Sequence, residues 1–386
     1  MGNSTGKLDI GSQLIRNKWM REGMLQSKSK SFFDGLSGKT ADAIIYQKND
    51  LGKSEGNTVV FDFDGNLATA GFRGSEQAFG KGKAKFKFSD KLTIEDGRYT
   101  VDNGKKFDGV EIGDLSITEH GDSRTKLADN FVRAKDQMIF DAGVGFAYGS
   151  TPSHIVRPAA RATVGELTAT DKMTWEFIVD LETIISEGRG YTESPTGIPI
   201  RRPLNPYQIK DGGSCWLMIL NRGQIADLLK DTKFQTIYQN ADVRGAQNAL
   251  IKHGVARIGS LFIMETGLFF GSTVSNKLFK TAVEIQGLRT IDENGVFSGT
   301  TQTQSGVIAN RGLLLGGGAF QVAFGKQPDY KYQPSGDFGI TSESALEVWM
   351  QVKKTELTAE VDDYEQAKVA GFDYGCAVFD TYRSGA

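Results

Sequence analysis

Cysteine and histidine are scarce in this 386-residue chain: two of the first, Cys215 and Cys376, and three of the second, His120, His154 and His253. Neither set has metal-ligand spacing, so zinc sites and histidine-based hydrolysis have few ingredients. Two distant cysteines suit a reducing cytosol, where disulfides do not persist. Long apolar runs are missing as well. Stretches such as 217–220 (LMIL) and 261–264 (LFIM) fall far short of the roughly 20 residues that span a bilayer. No N-terminal apolar run reads as a secretory signal. Lys and Arg number 45 against 47 Asp and Glu, for a net charge of -2, so no bulk positive field gathers nucleic acid or anionic membrane. With 39% hydrophobic and 24% charged residues, the chain has the composition of a folded protein. Glycine is abundant. Its 47 positions are nearly twice the average share of about 7%, and without collagen periodicity they predict many tight turns and bulges between short strands.

Residues 1–31 are polar, with Leu14, Ile15, Trp19, Met24 and Leu25 in an irregular helical stripe that the segment cannot bury against itself. An extended arm is expected. From Asn57 the period changes to two, with 58–64 (TVVFDFD) on one side of a glycine-rich stretch and 83–88 (KAKFKF) on the other. This predicts a long hairpin. Lys81, Lys83, Lys85 and Lys87 share one face and Ala84, Phe86 and Phe88 the other, with Asp62 and Asp64 as possible cross-strand partners. Such a ribbon is marginal alone and needs a surface to lie on.

A helix is predicted over 123–142, where Leu127, Phe131, Ala134 and Met138 recur at i, i+4, i+7 and i+11. Arg124, Asp129, Arg133 and Asp136 lie elsewhere on its wheel. Asp122 or Ser123 would cap its start, and Gly143 and Gly145 would end it. A second helix, 174–187, carries Phe177, Ile178, Leu181, Ile184 and Ile185 on one face and stops at Gly188. Half of the eight prolines follow, at Pro195, Pro199, Pro203 and Pro206, which suggests a domain boundary. Beyond it come a buried strand over 215–220, a helix over 223–230, and strands within 254–265, 313–324, 346–352 and 376–379. The last two could pair with one another or return to the first domain.

Several motifs tempt a chemical reading. Residues 59–65 (VVFDFDG) resemble the first motif of haloacid-dehalogenase-type phosphatases, in which one aspartate attacks phosphorus and the second handles the leaving-group proton beside magnesium. Asn66 departs from the threonine or valine favoured there. Gly121-Asp122-Ser123, the nearest imitation of the family's metal motif, follows too soon and heads a helix. The charge alternation also suits a half-exposed hairpin better than a buried parallel strand. Residues 313–319 (LLLGGGA) lack the Lys-Ser/Thr of a phosphate loop and read as a strand-to-helix bend with close backbone packing. The lysine face of the hairpin has no interleaved aromatics for stacking bases. His120-Gly121 and His253-Gly254 read as turn histidines.

The order of these parts resembles the tailed-phage major capsid fold of the Hong Kong 97 type. Local wording is similar to its N-four-like branch: 56–60 (GNTVV), 72–77 (FRGSEQ), 92–98 (LTIEDGR), 126–129 (KLAD), 216–228 (WLMILNRGQIADL), 319–325 (AFQVAFG) and 373–379 (DYGCAVF). The neutral Gly56-Asn57 turn departs from the acidic one usual in that family, and no crosslinking chemistry can be placed by motif. The resemblance implies an α+β fold. Its parts would be an N-terminal arm, 1–56; an extended β-hairpin loop, 57–100; a peripheral domain, 101–210, with the spine helix 123–142; a mixed α/β axial domain, 211–325; and C-terminal strands, 326–386, partly returning to the peripheral domain.

The function so implied is a major capsid protein, with no catalytic, metal or cofactor site, that self-assembles as hexamers and pentamers into an icosahedral shell around double-stranded DNA. The alternatives are the phosphatase, with Asp62 and Asp64, or another phage structural part such as a tube or decoration subunit. Charges on the hairpin would fix subunit register: Asp62, Asp64, Arg73, Glu76, Lys83, Lys85 and Lys87. No domain precedes the arm to act as a fused scaffold, which implies a separate scaffolding protein. A portal, a possible cement or decoration protein and non-specifically met DNA complete the expected partners, with no membrane. Assembly would occur in the host bacterial cytoplasm, and the destination would be the virion capsid.

Overall fold

The computed structural model describes residues 31–40, 42–49, 56–64, 74, 76, 79, 87–105, 115–144, 152–187, 204–208, 213–236, 256–265, 309–336, 341–359 and 369–382. In chain order the strands are β1 (Ser37–Gly38), β2 (Ile45–Lys48), β3 (Thr58–Asp64), β4 (Lys87–Thr93) and β5 (Glu95–Lys105). The long helix α1 (Leu115–Val144) follows, then β6 (Ile155–Val156), α2 (Trp175–Glu187), β7 (Tyr207–Gln208), β8 (Ser214–Leu220) and α3 (Arg222–Lys230). The remainder is β9 (Ala256–Ile258), β10 (Leu261–Glu265), β11 (Ala309–Leu315), β12 (Phe320–Gly336), β13 (Thr341–Lys354), β14 (Glu356–Ala359), β15 (Val369–Asp373) and β16 (Cys376–Tyr382).

Two larger sheets and two ribbons organise these strands. One sheet runs β1-β2-β12-β13-β5, the other β6-β16-β11-β8-β10-β9 with β7 beside β8, and the ribbons are β3-β4 and β14-β15. The second sheet is covered on both faces. Along β8, Leu217 and Ile219 join α1 and the first sheet in one core, while Trp216, Met218 and Leu220 join α2 in another. β11 and β16 divide the same way, Leu313, Leu315, Cys376 and Val378 against Leu314, Ala377 and Phe379. Burial on both faces is why these strands read as continuous apolar runs instead of alternating.

Several expectations are corrected here. The long helix begins at Leu115, eight residues before the predicted start, so Gly121, Asp122 and Ser123 lie inside it and His120 is helical, not a turn residue. Thirty residues at about 1.5 Å make it roughly 45 Å long. Gly143 does not end it. A Cβ there would press on the Leu313 and Phe320 side chains at 2.8 Å, so this glycine lets the last turn touch both sheets. The second helix packs on the seven-stranded sheet instead of sharing a domain with α1, because its stripe of Phe177, Ile178, Leu181 and Ile185 matches that sheet's far face. The proline loop therefore does not separate two independent cores. Nor is all of 1–56 an arm: Phe33, Ile44 and Ile45 are buried in the first core, and β2 is hydrogen-bonded to β12. Leu14 to Leu25 lie outside the described residues.

Residues 95–100 of the expected hairpin belong to β5, which pairs with β13, so the span 57–100 is divided between two sheets. β13 and β16 do not pair with one another. β13 lies between β12 and β5, and β16 between β11 and β6. The return to the first sheet starts at Phe320, earlier than residue 326.

The glycines at 316–318 make that return possible. They join strand to strand, not strand to helix. A Cβ on Gly316 would collide with the Asn205 carbonyl oxygen. Gly316 N donates to Gly375 O at 2.7 Å, Gly317 N to Asn205 O at 3.1 Å and Gly318 N to Ala43 O at 2.7 Å. Gly318 adopts φ 67°, a conformation that favours glycine. Beside this crossing lies a buried ion cluster. Arg311 Nε and Nη2 donate to the two Asp380 oxygens at 2.6 and 2.9 Å, Arg311 Nη1 donates to Val144 O at 3.0 Å, and Arg157 Nε reaches Asp380 Oδ2 at 3.1 Å. One carboxylate thus ties the C-terminus of α1 to the seven-stranded sheet.

Replacing Asp380 with Asn leaves two buried guanidinium groups without this counter-charge. A loss of about 3–5 kcal/mol in unfolding free energy is expected, read as a lowered denaturant midpoint; an unchanged midpoint would contradict the assignment.

Candidate functional site

The hairpin base has a definite mount. In register, Asp64 stands opposite Lys87, Phe63 opposite Phe88, Asp62 opposite Ser89, Phe61 opposite Asp90 and Val59 opposite Leu92. Alternation sends Val59, Phe61, Phe63 and Leu92 inward to pack with Ile94, Ala323, Tyr46 and Tyr374. Tyr46 meets the Phe61 ring edge-on at 5.1 Å. Lys48 lies over both rings and donates to Val60 O at 2.8 Å. Val60, Asp62, Ser89 and Lys91 are exposed. The surface under the base is therefore the chain's own body.

Of the residues expected at an interface, Asp62 is exposed on the outer face and Glu76 is exposed beyond the strand. Phe79 is 92% exposed. Asp64 and Lys87 are placed opposite one another by the register. Arg73, Lys83 and Lys85 lie outside the described residues, as do Ala84, Phe86 and His253. The phosphatase reading fails on topology: β3 is one strand of a two-stranded antiparallel ribbon, not a buried parallel strand, and Gly121-Asp122-Ser123 sits within a helix.

A residue that sequence reasoning missed anchors this ribbon. Asp90 shares the inward parity of Leu92 and is 8% exposed. It accepts from Lys353 Nζ at 2.6 Å, Gln321 Nε2 at 3.1 Å, the Glu356 backbone N at 3.3 Å and the Lys91 backbone N at 2.8 Å. A carboxylate on the apolar face of an alternating strand was the available signal. Hydrogen bonds to a charged group contribute about 1.5–3 kcal/mol each when well formed.

A second clamp holds residues 31–36 to α1. Asp136 accepts from Ser31 Oγ and Phe32 N, both at 2.7 Å, and Lys135 pairs with Asp34. Asp136 was expected off the apolar stripe of the wheel; it is buried, bonded to the segment that begins at Ser31. Burial raises its carboxyl above the ordinary value of 3.8 despite the lowering influence of Ser31, Phe32 and Lys135. His154 is buried with Nε2 3.1 Å from Asp373 O, and burial lowers its imidazole. Among the described residues, no cluster of His, Cys, Asp and Glu is placed to hold a metal, and no helix is long and apolar enough to cross a membrane.

The comparisons with known proteins agree on one class. Residues 11–160 match the model of a family described as phage capsid protein, a stretch that takes in β3, β4, β5 and α1. The fold is similar to the capsid of Ralstonia phage GP4, with TM-score 0.63 at 18% identity over 92% of each chain. It is equally similar to the head structure of Helicobacter pylori bacteriophage KHP40, TM-score 0.63 at 13% identity over 91% of each chain. The fold of the chain is that of these phage capsid subunits. The capsid asymmetric unit of cyanophage Pam1 also shares the fold, TM-score 0.60 at 14% identity over 92% of each chain. No curated protein matches the sequence.

The Asp136 clamp has a pH signature. A folded-state pKa above the unfolded one means the native state binds the proton more tightly, so this group's contribution is full below the unfolded value and falls as pH rises through the folded one. Denaturant midpoints of the wild type should therefore decline relative to those of Asp136→Asn as pH rises above about 4, the ordinary carboxyl value. The opposite trend would show that the hydrogen bonds outweigh burial.

Proposed function

We propose that the chain is the major capsid protein of a tailed bacteriophage, with the Hong Kong 97 type fold and a sequence pattern similar to that of its N-four-like branch. It assembles as hexamers and pentamers into the icosahedral head shell that encloses double-stranded DNA. The whole-length likeness to phage capsid subunits carries this reading, since it covers about nine-tenths of both chains in each comparison. A shell subunit is a structural protein. Its work is repeated association in a closed symmetric array, where modest contacts act jointly.

In this reading the five-stranded sheet with α1 is the peripheral part, and the seven-stranded sheet with α2 and α3 is the axial part that meets its copies around the capsomer axis. The hairpin extends over a neighbour, and Asp62, Asp64, Arg73, Glu76, Lys83, Lys85 and Lys87 set its register through charge pairs that supply specificity more than affinity. The outer face of the five-stranded sheet offers Glu347 beside Lys331 and Lys326, next to the half-exposed indole of Trp349. A separate scaffolding protein controls shell size, a portal occupies one vertex, and a cement protein can bind outside. Packaged DNA is met through general electrostatics without sequence readout. Assembly takes place in the host bacterial cytoplasm, and the finished location is the virion capsid.

Expressed alone in a bacterium, the chain should form shells of irregular size or open sheets, visible by electron microscopy. Uniform shells would remove the scaffolding partner, and tubes or inert monomers would overturn the shell reading. The double variant Lys85→Glu with Lys87→Glu should remain soluble and keep the wild-type circular dichroism while particle yield falls by at least about tenfold, as like-charge contacts multiply around a shell. Normal particles would take these lysines out of the interface.

A further inference from the structure

We propose that Asp90 is the positioning residue that fixes the β3-β4 hairpin and the β14-β15 ribbon to the five-stranded sheet as one mount, so that the hairpin's direction is set within the subunit before it meets a neighbour. The consequence for assembly rests on the shell-subunit reading; the mount itself does not.

One carboxylate reaches three distant segments. Lys353 lies at the end of β13, Gln321 on β12, and the Glu356 amide opens β14, at 263, 231 and 266 residues from Asp90. None of these partners belongs to β3. Backbone pairing therefore holds the ribbon together, Lys48 ties β3 to the body at Val60 O, and Asp90 ties β4 to it at three points. The apolar contact beneath, of Val59, Phe61, Phe63 and Leu92 on Tyr46, Ala323 and Tyr374, is not directional. A rotated or slipped ribbon could keep much of that buried area. Only one orientation brings all three donors within hydrogen-bond distance of Asp90, and a buried carboxylate is costly when its donors are lost.

The second ribbon is tied at the same point. Lys353 and Lys354 are successive residues of a strand and face opposite ways. Lys353 binds Asp90 of the hairpin at 2.6 Å, and the fully buried Lys354 binds Asp373, the last residue of β15, at 2.7 Å and lies 3.9 Å from Glu356 of β14. Asp373 is in turn held by Ser153, whose backbone N donates to Oδ2 at 2.8 Å. Glu356, bonded to Asp90 through its amide, pairs in register with Asp373. The end of β13 is thus a double post, with a ribbon on either side. A displacement of one ribbon is transmitted to the other through Asp90, Lys353, Glu356 and Asp373.

Hydrogen–deuterium exchange on the full-length, unassembled chain tests the coupling. Asp90→Ala should speed exchange by about tenfold in peptides covering 58–64 and 88–93, and also in those covering 356–359 and 369–373, with α1 and β11 unchanged. Asp90→Asn, which keeps one acceptor oxygen, should give a smaller rise in the same peptides. Faster exchange in the hairpin alone would refute the coupling. No change would refute the mount, and a rise throughout the chain would assign Asp90 to global stability instead. Should Asp90→Ala fail to fold, Lys353→Met removes one donor without touching the hairpin and must reproduce the local pattern, or the proposal fails. In assembly, Asp90→Asn should give particles of mixed curvature; failure of the wild type to form particles would count against the shell reading only, since exchange is read on single subunits.

Discussion

Close backbone approach at Gly316, Gly317 and Gly375 is the constraint on which the rest of the fold depends. The chain leaves the seven-stranded sheet at Leu315 and enters the five-stranded sheet at Phe320, and it does so where loops from residues 42–44, 204–206 and 374–375 converge. Any side chain at Gly316 would occupy the place of the Asn205 carbonyl. Because the crossing is so tight, the two sheets share one hydrophobic core, with α1 lying across both. A looser joint would leave two halves free to rotate against one another.

Buried charge is distributed accordingly. Arg311, Asp380 and Arg157 sit where the end of α1 meets the seven-stranded sheet; Lys354 and Asp373 where β13 meets β15; Asp90 and Lys353 where the hairpin meets the body; Asp136 where residues 31–36 meet α1. Each lies at a joint between elements. Apolar cores tolerate changes of packing so long as volume and pattern persist. Ion pairs with several hydrogen bonds tolerate much less, because a small displacement leaves a desolvated charge without its partner. Geometry is thereby fixed at the points where distant segments of the chain meet.

Local pattern made several elements legible. Alternation in Thr58–Asp64, the i, i+4, i+7 and i+11 recurrence of Leu127, Phe131, Ala134 and Met138, and the stripe of α2 each identify a strand or helix, because periodicity follows from backbone geometry alone. The continuous run of β8 was readable as a fully buried strand. Boundaries were less legible. The first turns of α1 have weak periodicity and an internal Gly121, and the cap signal at Asp122 and Ser123 is equally compatible with an interior position.

By itself the sequence determined the class of element at each of these places, the scarcity of metal- and thiol-based chemistry, and, through its order of landmarks, the capsid resemblance. Only the tertiary structure decided that α2 belongs with the far face of the seven-stranded sheet, that β13 and β16 part company, and that Asp90, Asp136 and Asp380 are anchors. The physical reason is separation along the chain. Asp90 and Lys353 are 263 residues apart, and Arg311 and Asp380 are 69 apart. A carboxylate's neighbours in sequence say which face of an element it occupies, but its role is set by the cations and amides that folding brings to that face.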